Sequence, residues 1–140
     1  MTYSFDGYNY VIKLVKGERL SEAIEQFAQE AKIEGAWVEG LGGVLEVTLG
    51  YYELDKQDYR WQTFEGLREL VSFTGNLASN EEGKIMLHAH GVIADKDFQT
   101  LGGHIKDLVA GATIELFVHR SFRPLKRKKD SEVGLQTLDL

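Results

Sequence analysis

The sequence predicts an α+β fold: a compact single domain with a mostly antiparallel sheet of six or seven strands and one main helix. Two observations predict it. Apolar residues alternate with polar ones in many short segments, the mark of half-buried strands, but follow helical spacing in only one. A parallel sheet would need several crossover helices, and this chain of 140 residues offers a single helix.

The elements follow in order. Tyr8, Tyr10, Ile12 and Leu14 fall on one face and Val11 and Val15 on the other, which predicts a strand ending near Gly17. Leu20, Ile24, Phe27, Ala28 and Ala31 then share one side of a helix, with Glu22, Glu25, Gln29 and Lys32 opposite. Glu18 precedes it, where a carboxylate suits the helix dipole. A short strand, Ala36–Glu39, leads into the glycine-rich Gly40–Gly43, and Val44–Leu54 alternates again. Asp55–Asp58 reads as a turn. Strands over Tyr59–Phe64 and Leu67–Leu77 are separated by Glu65-Gly66, a hairpin-turn pair. Asn80–Gly83 is a polar turn, Lys84–Ala94 a strand, Asp95–Gly103 a loop and Ala112–His119 a late strand. Residues 1–125 are expected to form the domain, and residues 126–140 a basic and then polar tail.

Composition narrows the function classes. There is no cysteine, so disulfides, thiolate ligands and a cysteine nucleophile are excluded. No apolar run is long enough for a membrane helix, and no signal peptide is evident, so a cytoplasmic protein without a membrane partner is expected. Net charge is −6, unevenly spread: residues 120–129 hold six basic side chains and no acidic one. An acidic body repels nucleic acid, whereas this basic segment could attract it. The Gly40–Gly43 run lacks the spacing of a dinucleotide fingerprint and precedes a strand pattern, not a helix.

Chemistry concentrates on three of the four histidines. His88 and His90 stand one residue apart on a predicted strand, so they share a face. His104 follows Gly102-Gly103, expected as a sharp turn that brings it close. Three neutral imidazoles suit a divalent ion, with zinc the first expectation, and leave a fourth position for water or substrate. The competing interpretation is three part-buried polar side chains satisfied by hydrogen bonds. Glu39, Glu69, Asp95 and Glu115 are the carboxylates available to support the imidazoles. If the site were catalytic, a metal-dependent hydrolase or lyase is implied, with Glu39 or Glu69 moving the proton. His119 reads as an ordinary strand-end residue. A cupin also uses such a histidine pair, and Asp95 loosely imitates its carboxylate, but His104 comes too early for the cupin's distant last histidine.

Four segments in order carry a family resemblance: KGERLSEAIEQFAQEAKIEGAWVEGLGGVLEVTLGYY, GLRELVSFTGNL, LHAHGVIAD and GGHIKDLVAGATIEL. Together they resemble the plant- and prokaryote-conserved (PPC) domain over roughly residues 8–120. The resemblance implies a compact domain with a mostly antiparallel sheet, assembled as a homotrimer. It implies metal or small-ligand binding at His88, His90 and His104. Plant members join the domain to AT-hooks in nuclear DNA-binding proteins; the stand-alone prokaryotic type has none. No Arg-Gly-Arg-Pro core occurs here, and where plant members read GRFEIL this chain has Gly66, Leu67, Arg68, Glu69, Leu70 and Val71. The departure at Leu67-Arg68 weakens any plant-type partner contact, and the missing hook weakens the DNA-binding implication.

Overall fold

The computed structural model describes all 140 residues. Eight strands and one α-helix run in the order β1 (Thr2–Phe5), β2 (Asn9–Val15), α1 (Leu20–Glu30), β3 (Gly35–Glu53), β4 (Asp58–Ser79), β5 (Ile85–Ala94), β6 (Thr100–Arg120), β7 (Lys126–Lys129) and β8 (Gln136–Asp139). The class is the expected α+β, but the sheet has eight strands and is mixed, the parallel pairing being β4 with β7 at Ser79 and Lys126. No helix is long and apolar enough to cross a membrane.

Three strands are far longer than their sequence patterns suggest. The two segments expected on either side of Gly40–Gly43 are one strand, β3, which changes register where it crosses Gly40 to Gly42. Gly42 takes φ +148, and a Cβ there would lie 2.2 Å from the Thr113 carbonyl oxygen. Glycine is thus required at an irregularity inside a strand, where the sequence suggested a boundary. Likewise Glu65-Gly66 is no hairpin turn. It lies within β4, opposite another register shift between Val44 and Glu46. β6 begins at Thr100 and runs without interruption through the residues expected as loop and late strand.

The long strands close on themselves. β3 pairs with β4 and β6, and β5 pairs with β4 and β6, all antiparallel, so these four form a continuous ring of hydrogen-bonded neighbours. Side chains inside it join the buried face of α1 in one core of 25 residues, among them Phe27, Phe73, Leu108 and Leu116. Helix α1 buries Leu20, Ala23, Ile24, Phe27 and Ala28, the stripe its spacing predicts, and packs against β5 and β6. Its start is held by Asp107 of β6, which accepts the Ser21 N–H at 3.1 Å and the Ser21 hydroxyl at 2.9 Å and pairs with Arg19 at 3.1 Å. Glu18 does not cap the helix: it takes the N-terminal ammonium of Met1 and the Val15 N–H.

Within residues 126–140, expected as a basic and then polar tail, Lys126–Lys129 and Gln136–Asp139 form the antiparallel pair β7–β8. Alternation in β7 turns Arg127 inward while Lys126, Lys128 and Lys129 stay exposed. The connecting turn is tied to the β3–β4 hairpin: the Tyr52 hydroxyl donates to the Val133 carbonyl at 2.5 Å and Gln57 Nε2 to the Glu132 carbonyl at 2.9 Å.

Candidate metal centre

Strand register assembles the three histidines. His90 of β5 lies directly opposite His104 of β6, and His88 sits two residues along the same face. One ring nitrogen from each can be chosen so that all three lie within 4.8 Å of one another. Ring centroids are 5.3 Å (His88–His90), 5.2 Å (His88–His104) and 5.3 Å (His90–His104) apart, nearly an equilateral triangle. His104 is not on a turn. Gly102 and Gly103 lie within β6, and a Cβ on Gly103 would stand 2.8 Å from the Gly50 carbonyl oxygen of β3. Glycine there lets β3 and β6 approach closely, which sets His104 against the aromatic rings of β4.

Those rings make one wall. Tyr59 and Trp61 stack at 4.5 Å, the Tyr59 ring lies 4.8 Å from His104, and the Tyr59 hydroxyl reaches His104 Nδ1 at 3.5 Å, the far limit of a hydrogen bond. Burial pushes the His104 imidazolium down to about 4, helped by His88, His90 and the Arg127 guanidinium. Burial, then Arg127 and His90, likewise lowers His88. Both imidazoles are therefore neutral near pH 7, with lone pairs free for an ion. The donor set, three nitrogens and no sulfur, fits zinc and other borderline divalent metals.

A cavity of about 600 Å³ opens beside His88 and His104. Tyr59, Trp61, Met86, Leu135 and Leu138 line it, together with Asn76 of β4 and Arg127 of β7. No aspartate or glutamate does. The supporting carboxylates expected from the sequence lie elsewhere. Glu39 pairs with His119 at 3.2 Å, and Glu39 and Glu115 border a different, smaller depression. Asp95 closes the β5–β6 turn by accepting the N–H groups of Asp97 and Gln99. Glu69 stands opposite Ala94, far along β5 from the histidines. Neither proposed proton-transfer group, Glu39 or Glu69, lines the cavity. Sequence reasoning missed Tyr59, Trp61, Asn76 and Arg127. The alternation Tyr59–Trp61 put two aromatics on one face, and the period of two in Lys126–Lys129 singled out one inward basic residue, once that segment is taken as a strand.

A family model described as the Plants and Prokaryotes Conserved (PCC) domain matches residues 1–121. No curated protein matches the chain. Among solved structures, one described as a candidate DNA-binding protein from Bacteroides thetaiotaomicron is 25% identical with TM-score 0.93, covering 99% of this chain and 96% of that one. A second candidate DNA-binding protein, from Ralstonia eutropha JMP134, is 30% identical with TM-score 0.90, covering 99% and 95%. A metal-containing protein from Archaeoglobus fulgidus is 26% identical with TM-score 0.86, covering 100% and 99%.

Proposed function

The chain belongs to the Plants and Prokaryotes Conserved domain family, and from that premise we propose that it binds a divalent metal ion, zinc foremost, through His88, His90 and His104. The observation that carries the proposal is the triangle of ring nitrogens, all within 4.8 Å and fixed by the pairing of β5 with β6. Three imidazoles leave one tetrahedral position open. The adjoining cavity has room for a small ligand there. The Archaeoglobus relative, described as metal-containing, supports the same reading. Elemental analysis of protein purified without an affinity tag tests it. About one ion per three-histidine set is expected. Less than about a tenth of that, with no uptake from zinc, nickel, iron or manganese, would end the proposal.

The functional unit in this proposal is a homotrimer. Exposed Leu41, Val71 and Phe117, which line a depression formed by β3, β4 and β6, support an assembly surface. Light scattering on the purified protein checks the mass, and a monomer across micromolar concentrations would count against it.

A second reading is nucleic-acid binding through residues 120–129, supported by the descriptions of the Bacteroides and Ralstonia relatives. The net charge of −6 weighs against it, and so does the burial of Arg127, which removes one cation from the basic segment. A salt titration of DNA binding distinguishes the readings, because a phosphate-contacting surface loses affinity steeply as salt rises.

A further inference from the structure

Arg127 is the only buried charged residue of the chain, 6% exposed. Its Nη1 donates to the Gln136 carbonyl at 2.7 Å and its Nη2 to Asn76 Oδ1 at 2.5 Å. Both acceptors are neutral. No carboxylate pairs with it, and its Nε–H has no partner at all. A buried cation without a counter-charge is costly, and buried charges are ordinarily paired. Asn76, which holds the guanidinium, stands directly opposite His88 in the β4–β5 pairing, so Arg127 is anchored beside the histidine triangle. The cavity that Arg127 shares with His88 and His104 contains no acidic side chain. A divalent ion on three neutral imidazoles would add further positive charge that this chain does nothing to offset.

Resting on the metal-centre reading above, we propose that the cavity takes a small organic carboxylate, ligated to the metal ion and ion-paired with Arg127. The carboxylate fills the open coordination position and accepts from the guanidinium. The carbon skeleton lies against Trp61, Leu135 and Leu138, the apolar part of a lining that also carries Gln136 and Thr137. A single buried guanidinium and apolar walls suit a monoanion. A phosphate, with more charge to neutralise, would call for a further cation that the lining lacks. Arg127 lies beyond the residues the family model matches, so this subsite belongs to the C-terminal β7–β8 pair.

Cobalt(II)-loaded protein tests the proposal. Metal stoichiometry is measured first, and the visible cobalt bands are then followed during titration with lactate and, separately, with uncharged lactamide. Wild type is expected to take up cobalt and to respond to lactate at concentrations where lactamide has no effect. Arg127→Gln should take up cobalt equally and bind lactate about tenfold or more weakly, with Arg127→Lys between the two. Cobalt uptake with no lactate response, an equal response to lactamide, or a lactate affinity unchanged in a folded Arg127→Gln would overturn the carboxylate site and leave the metal centre standing. The lactate–lactamide comparison uses wild type alone, so it decides even if the variants misfold. Failure to take up cobalt overturns both.

Discussion

The metal-free protein should lose stability as pH falls from 7 to 5, and His104 should be the main cause. Its imidazole is held down to about 4 in the folded state, against 6.5 for the free side chain, mainly by burial. The unfolded chain therefore binds a proton in the interval between these values that the folded chain refuses. Stability contributed by the neutral folded imidazole is complete above the unfolded value and is lost as pH drops below it. Between pH 7 and pH 5 the linkage relation gives a loss of roughly 2 kcal/mol, which partial solvent exposure reduces to about 1–1.5 kcal/mol. For a domain of this size that is a fall of about 3–5 °C in Tm. His88, lowered in the same direction, adds to it. The N-terminal ammonium beside Glu18 holds that carboxyl below its usual 4.5, and backbone N–H groups of Asn9 and Tyr8 hold Asp6 below 3.8. Both therefore give up their stabilisation at lower pH, outside the interval tested. Urea unfolding of metal-free wild type and His104→Asn, at several pH values from 7 to 5, is the assay. The variant should show a clearly shallower slope. A flat wild-type profile, or equal slopes for the two proteins, would refute the reasoning.

Other outcomes follow from the same geometry. Zinc at about a hundred times its dissociation constant should stabilise wild type by about 2.7 kcal/mol; His88→Ala should abolish that thermal shift while unfolding cooperatively without metal. Gly103→Ala should cost about 1–3 kcal/mol and weaken zinc binding, because its Cβ would press on the Gly50 carbonyl oxygen and move β6 with His104; calorimetry and a zinc titration check both effects. Replacing exposed Lys126, Lys128 and Lys129 with alanine should leave zinc uptake unchanged, and should flatten the salt dependence of any DNA binding that the protein shows.

Local patterning made the fold class legible, and its limits explain the misplaced boundaries. The apolar stripe of α1 was readable because a helix buries one face at a fixed period, and Leu20, Ile24 and Phe27 announce it without help from the rest of the chain. The long strands were not readable as single elements. A strand that bends around a closed ring needs glycine at its irregularities, and Gly42 and Gly66 look in sequence like the turns that end strands. Their role depends on which backbone comes close, and that is settled by pairings between residues as distant as Gly42 and Ile114. β7 and β8 were hidden for a related reason: four residues such as Lys126–Lys129 carry no apolar alternation, and their inward face is made by a guanidinium.

The same distinction runs through the candidate site. His88 and His90 were legible because a single strand sets their relation, and His104 because only four histidines occur in the chain. The supporting carboxylates were sought among acids near in sequence, by analogy with sites where acid steadies imidazole. The fold instead brings Tyr59 and Trp61 from β4 and Arg127 from β7 to the histidines, and sends Glu39 to His119. An acid beside the triangle would neutralise part of an ion's charge and favour a site that merely holds metal. An acid-free cavity with a buried guanidinium leaves that charge for something that arrives from solution. Under the proposed metal centre, the electrostatic deficit therefore favours a ligand-binding role over a purely structural one. Introducing the missing charge sharpens the point: Leu135→Glu should strengthen zinc retention while abolishing the lactate response. Retention unchanged, or a lactate response that survives, would show that charge does not govern what the cavity accepts.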